Sequence, residues 1–215
     1  MTCLIKSCWV VGLTLLLDLS PARAQPASVA SIEPEELVEY EDQPRRVREL
    51  IDYALSLTKQ DLSYKYGSNS PRKMGMDCSG TVQHTLAEIG VKGVPRSSYA
   101  MFHWAEENGA VTSTAGAAST GDSVFGSLRP GDLVFWEGTY DTGDRDPPIS
   151  HVMIYLGKLK KDGKGIVFGA SSGRRYRGKR IHGVSVFDWR APSVGSKSKL
   201  VGFGAVPGLR PPKDG

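Results

Sequence analysis

The sequence predicts an α+β fold, with helices from the first half of the chain covering an antiparallel β-sheet built from the second half. Three observations carry this. Apolar residues recur at helical spacing from Arg45 to Thr58 and again from Cys78 onward. After the Pro130-Gly131 turn the pattern changes to short runs of β-type residues. Helical segments precede the strands instead of alternating with them, which argues against a parallel βαβ sheet.

Taken in order, the chain opens with a signal for export. Lys6, the apolar run from Cys8 to Leu17 and the Ala22-Arg23-Ala24 site have the three parts of a secretory signal peptide, predicting cleavage after residue 24. The run is shorter than the roughly 20 apolar residues a membrane helix needs. The expected product has no membrane span and is periplasmic or secreted. Residues 25–43 are acidic and poor in apolar side chains, and read as a flexible leader. In the helix over 45–58, Val47, Leu50, Ile51, Ala54, Leu55 and Thr58 share one face. Residues 62–76 carry loop chemistry in Tyr64, Tyr66, Gly67, Asn69, Pro71 and Gly75. A second helix starts near Cys78, with Val82, Leu86 and Ile89 inward and Gly90 at its end.

The stretch 109–127 is rich in small and polar residues and reads as a surface loop with little packing of its own. Strand-like runs follow at 133–136, 151–156, 165–170, 184–187 and 200–206, punctuated by turns such as Asp162-Gly163. A single domain over 44–210 is expected, monomeric, with a frayed tail at 211–215. The net charge of +4 would suit an anionic polymer but does not demand nucleic acid, and none is expected as a partner. The basic cluster Arg174, Arg175, Arg177, Lys179 and Arg180 reads as a solvated loop.

Of the three cysteines, Cys3 and Cys8 lie in the segment to be removed, which leaves Cys78 alone. A lone thiol in an exported chain is either reactive, paired with another molecule or buried and inert. Its setting, Asp77-Cys78-Ser79-Gly80, puts it where a loop gives way to a helix. Unpaired amides and the helix dipole there favour a thiolate and lower its pKa below about 8.5. Ser79 and Gly80 are small enough to let a substrate approach, and the Cys78 amide can face a developing oxyanion.

Four histidines could serve as base. His84 lies on the same helix but points away from the sulfur. His103 sits in an amphipathic stretch. His182 falls among the later strands. His151 opens a strongly apolar strand directly after the polar loop 141–150, a good position for lining a cleft. On these grounds alone, a Cys78–His151 pair and inert packing remain equally open.

The ordered elements YKYGS (64–68), DCSG (77–80), PRSS (95–98), LRPGDLVFW (128–136), HVMIYLG (151–157) and FGASSG (168–173) resemble the NlpC/P60 family of papain-like cell-wall cysteine peptidases. The resemblance implies Cys78 as nucleophile and His151 as base. It also implies Tyr64, Asp77, Ser79 and Arg96 as residues that hold the stem peptide. For Asp77 the alternative is a helix cap, and for Arg96 a pair with an internal carboxylate. The implied substrate is peptidoglycan or its muropeptides, the implied bond D-γ-glutamyl–diamino acid, and no metal or other cofactor is called for.

Two positions depart from the family pattern. The polar residue, often histidine, that orients the base is here Gly169, leaving Ser171, His182, a backbone carbonyl or a water as substitutes. A family glutamine is replaced by Met101. The rival readings are an amidase or acyltransferase on another amide or ester, and a non-catalytic wall-binding module.

Overall fold

The structure is a computed structural model that describes residues 27–108, 111–190 and 195–210. The expected signal peptide and the tail at 211–215 lie outside these residues. Among the described residues there are three α-helices, α1 (Arg45–Thr58), α2 (Cys78–Glu88) and α3 (Ser98–Glu107). The strands in chain order are β1 (Ser63–Tyr64), β2 (Gly75–Met76), β3 (Val111–Ser113), β4 (Leu133–Glu137), β5 (Ile149–Lys158), β6 (Gly165–Ser171), β7 (Arg175–Tyr176), β8 (Lys179–Arg180), β9 (Gly183–Asp188) and β10 (Lys199–Gly204). Six of them form the main sheet in the order β3-β10-β4-β5-β6-β9, every neighbour antiparallel. The architecture is α+β.

The central strand β5 is buried along almost its whole length, which is why its sequence reads as a continuous apolar run instead of alternating. Helix α2 packs across β5 and β6, α3 against β5, and α1 against β9 and α2. In α1 the predicted face is the buried one: Val47, Leu50, Ile51 and Ala54 are fully inaccessible. Helix α3 starts at the N-cap Ser97, whose Oγ accepts the Ala100 amide, and it puts Met101 at 0% exposure in the core. The departure at Met101 therefore concerns packing, not the cleft.

Residues 27–43 are not the flexible leader their composition suggested. Ser28 bridges to His182 and Leu37 to Leu159. Ser185 Oγ receives the Ala30 amide at 2.7 Å, and the Val38 amide donates to the Lys158 carbonyl. Ile32 and Leu37, isolated in an acidic stretch, are 4% and 1% exposed. Two well-placed apolar side chains and a row of backbone bonds fix a segment whose average composition is polar. Of the stretch read as a surface loop, residues 111–127 likewise contribute packing, since β3 forms one edge of the sheet against β10 and Thr114 is buried.

Candidate active site

Strands β1 and β2 pair in parallel, setting Tyr64 beside Met76, the residue before Asp77-Cys78. The chain then turns into α2 with Asp77 as N-cap. Its Oδ1 accepts the Gly80 amide at 2.6 Å and its Oδ2 accepts the Gly67 amide at 2.8 Å, so one carboxylate fixes both the helix start and the preceding loop. Arg96 closes a two-pronged pair on the same carboxylate, at 3.0 Å and 2.6 Å, and donates to Ser79 Oγ at 2.9 Å. Asp77 and Ser79 are 5% and 7% exposed. Both alternatives open for these residues are thus present: Asp77 caps the helix, and Arg96 pairs with an internal carboxylate.

Gly80 has a different reason from the one its size suggested. A Cβ there would meet the Ser68 carbonyl oxygen, so glycine lets the 63–69 loop close on the helix and does not open space for a substrate.

The Cys78 side is 7% exposed. Backbone amides of Val152, Ser79 and Cys78 favour its thiolate, and Val152 directly follows His151 on β5. The start of α2 and strand β5 therefore meet at the sulfur. Tyr64 is also close: burial first, then the charge of the sulfur, raise its phenol pKa. The expectation of a depressed thiol pKa is nonetheless reversed. Burial first, then the Asp77 carboxylate, push Cys78 up to about 11, outweighing the three amides.

His151 is 7% exposed and faces Trp136 across β4 and β5, with ring centroids 5.7 Å apart. Burial, then the charge of Arg174, lower its pKa well below the usual imidazole value. At rest the thiol and the imidazole are therefore both neutral.

Among the described residues, His151 Nε2 is buried without a hydrogen-bond partner. None of the expected protein substitutes fills the role left by Gly169. Ser171 Oγ instead accepts the Gly173 and Arg174 amides at 3.3 Å and 3.2 Å. His182 lies edge-on to Tyr64, with centroids 6.4 Å apart. At Gly169 itself, a Cβ would come within 2.9 Å of Met153 Cγ, so a thioether side chain already fills the space an orienting group would enter. Of the other histidines, His84 is half-buried and bonded to Tyr53 Oη at 2.9 Å. His103 contacts Glu106 at 3.1 Å. Neither belongs to the site.

A cleft of about 980 Å³ opens beside His151, lined by Tyr64, Tyr66, Trp136, Tyr140 and a set of cations. Sequence reasoning missed Arg174 as a member of this set. It read the basic cluster as uniformly solvated, whereas Arg174 is half-buried and lies 4.0 Å from the centroid of the Trp136 ring. A charge run carries no sign of which member folds back; only the turn after β6 decides it.

Residues 61–184 match the sequence profile of the NlpC/P60 family. Among curated proteins, the bifunctional muramidase/DL-endopeptidase CwlT of Bacillus subtilis is 31% identical over 116 residues, covering 52% of this chain and 29% of the relative. The gamma-DL-glutamyl hydrolase of Bacillus subtilis is 35% identical over 95 residues, covering 44% of this chain and 18% of the relative. The chain thus spans less than a third of the length of either relative.

Proposed function

Because the chain belongs to the NlpC/P60 family, we propose that it is a papain-like cysteine hydrolase that cuts peptidoglycan stem peptides at the D-γ-glutamyl–diamino acid bond. The observation that carries this reading is the meeting of Cys78, at the first turn of α2, with the His151 strand at the edge of an open cleft. Both relatives are named for hydrolysis at DL or γ-DL bonds, which agrees with that choice of bond.

The neutral resting pair sets the chemistry. Nε2 of His151 is turned inward, so Nδ1 is the nitrogen left for proton transfer. It takes the thiol proton as sulfur attacks the scissile carbonyl carbon, in the manner of a general base. The amide of Cys78, with the Tyr64 hydroxyl, serves the oxyanion of the tetrahedral intermediate. Collapse breaks the C–N bond while the imidazolium gives its proton to the leaving amine. Water, deprotonated by the same imidazole, then attacks the thioester, releasing the acid and restoring the thiol. Asp77, Ser79 and Arg96 hold the acyl side of the substrate through whatever donor and acceptor capacity their mutual bonds leave free, chiefly on Arg96, whose side chain is 38% exposed.

The protein is proposed to act outside the cytoplasm, in line with the signal peptide its first 24 residues predict and with its family. Among the described residues no helix is long and apolar enough to cross a membrane. The test is digestion of a panel of purified muropeptides and γ-glutamyl peptides, with products identified by mass spectrometry. New termini at a D-γ-glutamyl bond support the reading. Release of a different amine or acyl transfer to a nucleophile other than water would point to an amidase or acyltransferase, and binding without cleavage to a wall-binding module.

A further inference from the structure

We propose that Arg174 is the specificity-determining residue of the leaving-group side, where it receives a carboxylate carried on the carbon next to the scissile nitrogen. This rests on the hydrolase reading given above. The side of the cleft follows from the chemistry. His151 must hand a proton to the departing amine, so the leaving amino acid lies on the His151 side of the sulfur. The cleft is lined by His151 and not by Cys78, which makes it the leaving-group side.

Arg174 is built into that cleft. The turn that carries it is fixed by Ser171 Oγ, which accepts the Arg174 amide at 3.2 Å, and by the Arg174 carbonyl, which accepts the Ile181 amide at 2.9 Å. Its guanidinium stacks on Trp136, the cross-strand neighbour of His151. Stacking holds the fork in one plane and leaves its N–H edges for a ligand. Among the described residues it has no carboxylate partner. The carboxylate on the same cleft, Asp188, is already closed by Arg190 at 2.7 Å, whereas Arg175 and Lys197 add further positive charge. A planar, half-buried, unpaired guanidinium suits a carboxylate held by two parallel hydrogen bonds. Burial has brought its own pKa down to about 10, so it remains charged at neutral pH and gains most by acquiring an anion.

The consequence for substrate choice is specific. A stem that ends at the diamino acid carries a free carboxylate beside the leaving nitrogen, and a longer stem has that carboxyl tied up in an amide. Stems ending at the diamino acid are therefore the preferred substrates. The contact also reaches the base. The ionisable groups that share the cleft with His151 are Tyr64, Tyr66 and Tyr140, the cations Arg174, Arg175 and Lys197, and Asp188 with its partner Arg190; Cys78 of α2 meets β5 at Val152, the next residue. Of these, Arg174 opposes the imidazolium, and a bound carboxylate offsets it.

The experiment compares L-Ala-γ-D-Glu-L-Lys as the free acid with the same tripeptide as its C-terminal amide. Wild type should cleave the acid about 10- to 100-fold better in kcat/KM, the range for a charge-assisted hydrogen-bonded pair. Arg174→Gln should lose most of that preference, and Arg174→Lys should keep an intermediate share. With the acid, the acid limb of kcat should lie at higher pH than that of kcat/KM; with the amide the two limbs should coincide. Cys78→Ala should bind the acid more tightly than the amide by calorimetry, a difference absent from Cys78→Ala/Arg174→Gln. Equal handling of acid and amide by wild type, or an undiminished preference in Arg174→Gln, overturns the assignment and leaves the hydrolase reading standing. If wild type cleaves neither peptide, the hydrolase reading falls. The Cys78→Ala binding comparison then decides the carboxylate site alone, with equal affinity or no binding counting against it.

Discussion

The state of the Cys78 thiol can be tested by its rate of alkylation against pH. An ordinary thiol has a pKa near 9.0, and burial with the Asp77 carboxylate pushes Cys78 up to about 11. At about 1.4 kcal/mol per tenfold change, the thiolate is disfavoured by roughly 3 kcal/mol more than in a free cysteine. At pH 7 the thiolate fraction is then on the order of 10⁻⁴, against about 10⁻² for the free side chain. The sign follows directly. A raised thiol pKa means reactivity climbs through alkaline pH, and nothing is gained by approaching neutrality from below. The assay is iodoacetamide labelling, with the Cys78 peptide quantified by mass spectrometry between pH 5 and 11. The rate should still be rising at pH 10, and His151→Ala should leave the profile in place because a neutral imidazole does not support a thiolate. The companion readout is kcat/KM, which should form a broad plateau. Its acid limb should fall below pH 6.5, since burial and Arg174 depress His151. A labelling plateau below pH 7 that disappears in His151→Ala would falsify the neutral pair and restore a resting thiolate–imidazolium.

Three further outcomes follow from packing. Gly169→His should destabilise the protein by about 1–3 kcal/mol through overpacking against Met153 and should not raise turnover. Combining it with Met153→Ala should recover part of that loss in denaturant titrations, and strict additivity would show that the two positions do not share the space. Asp77→Ala should cost roughly 2–3 kcal/mol, from a lost cap and a lost charge-assisted pair, and the measurement is urea unfolding. A cost within about 0.5 kcal/mol, the range of a neutral surface change, would mean Asp77 does not organise the helix start. Leu37→Ala, which deletes a side chain only 1% exposed, should cost about 2–4 kcal/mol. A silent Leu37→Ala would return residues 27–43 to the status of a leader.

What could be read from the sequence is what depends on local periodicity and chain order. Helix α1 lies over Arg45–Thr58 as its apolar spacing predicts, and α2 begins at Cys78 behind an aspartate cap. The apolar runs that became β4, β5, β6, β9 and β10 were also legible, because buried strands are long unbroken stretches of β-type residues. The misses share a physical cause, which is that they depend on what lies across the fold. Ile32 and Leu37 look incidental in an acidic segment until the sheet is there to bury them. The thiol pKa was read from the helix start, a local effect, whereas desolvation and the Asp77 charge come from closure of the 63–69 loop and β5 over the sulfur. Gly169 and Met153 sit on different strands and show their exclusion only in three dimensions. Arg174 could not be told from Arg175 or Arg177 by composition, and it differs from them only by its stack on Trp136.

The most direct test of the central claim is parallel digestion of L-Ala-γ-D-Glu-L-Lys by wild type and Cys78→Ala, with products and protein both analysed by mass spectrometry. The account predicts release of lysine by wild type and none by Cys78→Ala, with circular dichroism showing the same fold for both. Any acyl adduct caught by acid quenching should map to Cys78 and equal the mass of the alanyl-glutamyl portion. Release of lysine by Cys78→Ala at the wild-type rate would contradict the account, because the bond would then be broken without the sulfur.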